Sequence, residues 1–171
     1  MSLKTNKISI LTFFLITLPF TFSCTDSQVS TETPELPDNE YKVTIDQGVW
    51  GNVQFWEGDF MPIYNPATGG TITPVVRDIC VHVATSDDMV EREGYGGFYK
   101  SINSELISIV RSDKDGFFQI ELEPGKYSFF VKEDALFYGS RMDGNGNIEV
   151  AEVIQDSTTK ISLDINYMAT Y

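Results

Sequence analysis

From Tyr41 onward, apolar and polar residues alternate in short runs broken by turn-formers. A period of two commits a chain to β-structure, because successive side chains of a strand point to opposite faces. Val49, Gly51, Val53 and Phe55 alternate with Trp50, Asn52, Gln54 and Trp56, which gives one run two distinct faces. Ile79, Val81 and Val83 alternate in the same way with Cys80 and His82. Further runs cover 106–111, 117–122, 126–132, 147–154 and 158–167, and in the last Ile161, Leu163, Ile165 and Tyr167 share one face. The separators are Asp115-Gly116, Pro124-Gly125 and Asp143-Gly144-Asn145-Gly146, all turn chemistry. No long stretch carries helical spacing. The pattern predicts an all-β fold, a sandwich of about seven strands. Two segments, 57–74 and 86–104, exceed what a strand connection needs and are rich in Gly, Tyr and Phe. They read as two long loops, and their aromatics argue against simple disorder.

The first 24 residues obey a different rule. Lys4 and Lys7 precede an apolar run over 8–22 that stops at Ser23-Cys24, the three parts of an export signal. The 15-residue run is shorter than the about 20 residues a spanning helix needs. The arrangement resembles a bacterial lipoprotein signal, which implies cleavage after residue 23 and acylation of Cys24, with palmitate-type chains. Two or more acyl chains hold a protein stably to a membrane. The expected location is the outer membrane of the cell envelope, on its periplasmic or cell-surface side. Residues 25–40 contain five acids, two prolines and no base, too little apolar surface to offset ordering entropy. They predict an acidic flexible tether over 24–40, followed by one domain over 41–171.

Charge and cysteine content narrow the function. The signal carries two of the 12 basic residues and none of the 25 acidic ones, so the mature chain has a net charge of −15. Such a chain repels phosphate backbones and anionic headgroups, which argues against nucleic acid and against electrostatic membrane docking. With Cys24 acylated, Cys80 has no disulfide partner, and stability must come from an ordinary core. A monomer without cofactor is the expectation.

The segment 112–131, SDKDGFFQIELEPGKYSFFV, holds the most specific local pattern. It resembles the carboxypeptidase regulatory-like family, a small prealbumin-type β-sandwich, which implies a transthyretin-like Greek-key order of the strands. The family's roles fall to Ser112, Asp113, Asp115, Gly116, Phe118, Ile120, Leu122, Pro124, Gly125, Tyr127, Phe129 and Val131. Asp-Gly and Pro-Gly are expected to close hairpins, with every second residue facing the core. Gly51-Asn52-Val53 resembles the family's opening strand and 161–165 its closing one, so the likeness spans roughly 48–166. The two long segments depart from the family. The resemblance implies a non-catalytic sandwich and names no ligand.

Catalysis finds little support in the residues. A zinc peptidase site needs at least two imidazoles with a carboxylate, and this chain has only His82. No Gly-x-Ser-x-Gly elbow exists for a serine hydrolase. Cys80 and His82 share a strand face, the minimum geometry for a thiolate and its base, against the commoner reading of a buried small hydrophobe beside a structural His. Residues 143–147 start like a calcium loop, but Ile148 and Ile154 stand where that loop needs Gly and Glu, so a turn is expected. Asp113 and Asp115 read as turn residues as well. No metal and no catalytic residue is predicted.

Binding finds more. Trp50 and Trp56 share a face with Asn52 and Gln54, a platform suited to a glycan, unless the 57–74 segment, with Phe60, Met61 and Tyr64, folds back over it. Tyr95, Phe98 and Tyr99 in the second segment extend the patch, and Asp87, Asp88, Glu91 and Glu93 rim it with acid, as at a protein interface. The expected role is contact with an envelope protein partner, with carbohydrate binding as the alternative and a cysteine-dependent enzyme third.

Overall fold

The computed structural model of the chain describes residues 36–61 and 69–171. Among the described residues eleven strands follow one another: β1 (Gly48–Asp59), β2 (Thr71–Pro74), β3 (Asp78–Val83), β4 (Val90–Arg92), β5 (Phe98–Ile102), β6 (Leu106–Arg111), β7 (Phe117–Ile120), β8 (Gly125–Glu133), β9 (Leu136–Tyr138), β10 (Val150–Val153) and β11 (Thr158–Thr170). They form an all-β sandwich of two sheets. In the first, the long strands β1 and β11 run parallel, pairing Gly48 with Thr158 and Phe55 with Ile165. The other edge of β1 is shared: β7 takes Val49 to Asn52 and β2 takes Gln54 to Glu57. The second sheet has the order β4-β5-β9-β8-β3-β6, with β10 sharing an edge of β8 with β9.

The alternation dictates which side chains meet between the sheets. Val49, Val53, Leu163 and Ile165 of the first sheet pack with Ile79, Val81, Phe129, Val131, Ala151 and Val153 of the second, all buried. Phe118 of β7 reaches Phe129 with ring centroids 6.3 Å apart. Each buried Val, Leu, Ile or Phe among them contributes about 1.5–3 kcal/mol by leaving water.

Seven strands coincide with the runs expected from alternation: β1, β3, β6, β7, β8, β10 and β11. The other four are three to five residues long, and three of them lie in the segments read as loops. The 86–104 segment is an antiparallel β4–β5 pair, joining Val90 to Ile102. The 57–74 segment begins as the end of β1 and finishes as β2.

Two further expectations are corrected. Asp115-Gly116 and Pro124-Gly125 close no hairpins: β7 lies in the first sheet and its neighbours β6 and β8 in the second, so both turns carry the chain between sheets. Turn residues reverse the chain, but burial selects the partner strand. Gly116, at φ +75°, tucks against β1, where its carbonyl accepts the Val53 N–H at 2.8 Å and a Cβ would lie 2.5 Å from the Val53 oxygen. The folded domain also begins inside the expected tether. Asn39 is fully buried, and its Nδ2 donates to Asn52 Oδ1 at 2.6 Å and to the Asp115 carbonyl at 3.0 Å. The Lys42 ammonium bridges Asp113 and Asp115, both at 2.7 Å, and Thr44 exchanges hydrogen bonds with Gln119. Residues 39–44 therefore form a strap across the outer face of the first sheet. A polar segment can dock where the underlying sheet offers it specific amide and carboxylate partners, which composition alone does not register.

Candidate functional site

An aromatic cluster joins the far ends of the two sheets, and an irregularity in β11 creates it. Phe55 pairs with Ile165 and Glu57 with Met168, so Asn166 and Tyr167 both stand opposite Trp56. A bulge of this kind re-aims side chains. Tyr167 meets Phe55, Phe98 and Tyr138 at centroid distances of 5.5, 5.0 and 5.6 Å, and Phe98 meets Tyr138 at 4.9 Å. Tyr138 Oη donates to Asn166 Oδ1 at 2.6 Å, and Asn166 Nδ2 donates to Tyr171 Oη at 3.3 Å. Tyr167 Oη donates to Glu133 at 2.9 Å, and Glu133 in turn holds Arg77. Burial, with the Glu133 carboxylate behind it, pushes the Tyr167 phenol up to about 12.

Beside this cluster lies an open groove of about 550 Å³. Tyr95, Phe98, Tyr99, Tyr138, Tyr167 and Tyr171 supply its rings, and Arg92, Ser140 and Asn166 its polar edges. Tyr95 stands fully exposed on a turn whose Gly94, Gly96 and Gly97 all adopt positive φ, at 63°, 98° and 83°. Tyr99 is the buried end of the series: its hydroxyl donates to the Gly139 carbonyl at 3.2 Å, and the Arg92 guanidinium lies 5.3 Å from its ring. Arg92 is itself held by Asp87 at 2.8 Å. Rings presenting faces and hydroxyls at the rim of an open groove suit a ligand with both apolar and hydrogen-bonding surface.

Of the expected binding residues, Tyr95, Phe98 and Tyr99 come together here. The tryptophan platform does not form. Trp50 is 5% exposed, packed against Phe117 and lying under the Lys160 ammonium at 4.8 Å, and Gln54 is 8% exposed. Asn52 is occupied by Asn39. The strap, rather than the 57–74 segment, takes the Asn52 amide, because alternating amides on the sheet match its own. Trp56 behaves differently: it packs on Phe60 at 5.0 Å, and Phe60 stacks on Tyr171 at 5.9 Å, which links it to the groove's rim. Tyr64 and Cys24 lie outside the described residues. Tyr138, Tyr167, Tyr171, Arg92 and Asn166 were not expected at the site. Tyr167 was placed on the inward face, and only the β11 bulge, which alternation does not announce, brings it to the groove.

Cys80 and His82 share the outer face of the second sheet, each 5% exposed. The imidazole Nδ1 lies 3.1 Å from the Ser104 carbonyl and 3.2 Å from its hydroxyl, and the ring meets Phe130 edge-on at 5.8 Å. Burial raises the Cys80 thiol and lowers His82, the latter against the pull of the Ser104 carbonyl. The thiol is held protonated and the imidazole neutral and turned to Ser104, the opposite of an activated nucleophile.

The two aspartate turns prove equivalent. Asp113 Oδ1 accepts the amides of Asp115 and Phe117, and Asp143 Oδ1 accepts those of Asn145 and Asn147. The Asp143 carboxylate falls to about 2, chiefly through its hydrogen bond from the Asn147 amide group. Among the described residues, no three His, Cys, Asp or Glu side chains gather as a metal site would require. The chain matches no family model, no curated protein and no solved structure.

Proposed function

We propose that the chain is a lipid-anchored, non-catalytic binding protein of the bacterial cell envelope, and that it engages a protein partner through the tyrosine groove. The observation that carries this reading is the groove of about 550 Å³ with six aromatic side chains along it. Tyrosine gives large, rigid contact area at low entropic cost and is enriched at protein interfaces. The acids Asp87, Asp88, Glu91 and Glu93 beside it are exposed, as a polar rim would be. Anchoring rests on Cys24 at the end of its signal-like segment, and the prealbumin-type assignment on the turn and strand pattern over 112–131.

Placing a photo-crosslinking residue at Tyr95 in intact cells tests the role. One specific envelope protein is expected in the adduct, lost when Tyr171 is replaced by Ala. Recovery of polysaccharide would shift the reading to glycan binding in the same groove, and no adduct above that of a control site at Lys114 would end it. Cys24→Ala is expected to move the protein into the soluble envelope fraction; continued membrane retention counts against the anchor.

A further inference from the structure

The outer face of the second sheet carries another groove, of about 440 Å³, within the range of small-molecule sites. The register explains its lining, since residues directly opposite each other share a face: Cys80 pairs with Ile109, His82 with Leu106 and Lys132 with Phe137. Cys80 and His82 form a floor without charge, and Ile102, Leu106, Ile109 and Phe137 form apolar walls. Leu106 is 49% exposed and Ile109 58% exposed, which is water-facing apolar surface concentrated on one edge strand. A concave place lined mostly by apolar side chains is where a ligand is sought first.

Charge decides what fits. The two ionised groups of the lining are Asp78 and Lys132, and Asp78 is held by Arg111 at 2.6 Å. The Lys132 ammonium rests 4.0 Å from the Phe137 ring centroid. Among the described residues no carboxylate lies within ion-pair distance of it. In a chain with a net charge of −13, one uncompensated cation thus closes an apolar trough. A second copy of the chain is a poor occupant, because it would bring the same negative charge, and because the irregularity of β6 opposite Val81 and His82 disrupts the edge another strand would pair with.

We propose that this groove binds a single-chain amphiphile with an anionic head, a long-chain carboxylate, its head at Lys132 and its chain along Phe137, Ile102, Leu106 and Ile109. The site is independent of the tyrosine groove and of any protein partner.

Cys80 provides the readout. In full-length protein carrying Cys24→Ala it is the single thiol, and its rate of reaction with a maleimide reports cover over the floor. Submicellar dodecanoate is expected to slow that reaction saturably, and dodecyltrimethylammonium is not. Lys132→Met should weaken dodecanoate binding by about tenfold while lowering the unfolding temperature only slightly, and Ile109→Asp should abolish binding. An unaltered rate in dodecanoate, or equal affinity in Lys132→Met and the parent, overturns the proposal. So does protection that grows with protein concentration in the absence of amphiphile and accompanies a dimer in sedimentation, since a second copy would then cover the groove.

Discussion

Tyr167 donates its phenolic proton to a carboxylate in a partly desolvated place, so its ionisation opposes the fold. Its folded value of about 12 stands above the ordinary 10.0, which means that between these values the unfolded chain gives up a proton the folded chain keeps. The sign follows from linkage: stability from this group is intact below about pH 10 and is lost as pH rises through about 12. Denaturant midpoints measured from pH 9 to 12 should fall steeply in the parent and less in Tyr167→Phe; parallel curves would show that the phenol is not the cause. Gly116 makes a backbone case. Gly116→Ala places a Cβ at positive φ against the Val53 carbonyl, and should cost about 1–3 kcal/mol in equilibrium unfolding. A neutral result would mean that the corner between β6 and β7 can move off β1.

At the scale of elements, alternation revealed the long strands and missed the short ones. β1 and β11 are readable because four residues of each recur on one face, and β3 because Ile79, Val81 and Val83 do. β4 and β9 have three residues each, too few for a period to emerge, and they gain their stability from the neighbours they pair with. The Asp-Gly and Pro-Gly turns were legible as reversals, yet nothing in Asp115-Gly116 says that Phe117 will pair with Asn52 of β1 rather than fold back on β6. Half of the tyrosine groove was visible for the same reason: Tyr95, Phe98 and Tyr99 sit in an aromatic segment, whereas Asn166 and Tyr171 join through a bulge. The strap was hidden by its polarity. Asn39→Ala leaves the Asn52 and Asp115 oxygens without their donor, and should destabilise the domain by about 1–3 kcal/mol and shift Trp50 emission to the red. If the emission holds, Lys42 alone suffices to keep the strap in place.

For the whole molecule, 25 acids against 12 bases imply net self-repulsion in the compact state. Raising salt from 0.01 to 0.1 M shortens the screening length from about 30 to about 10 Å. The unfolding temperature should therefore rise over that interval, and a fall would show that the exposed ion pairs outweigh the excess charge. Topology adds a constraint of another kind. The first long strand lies beside the last, with Val49 against Thr159, and between them the chain must build everything else. Non-local pairing of this sort is slow to form because loop closure comes before its reward. A chain that holds β1 but still lacks Thr158–Thr170 thus has no mate for that edge of its first sheet, so the last lock of the fold closes only after every other strand exists.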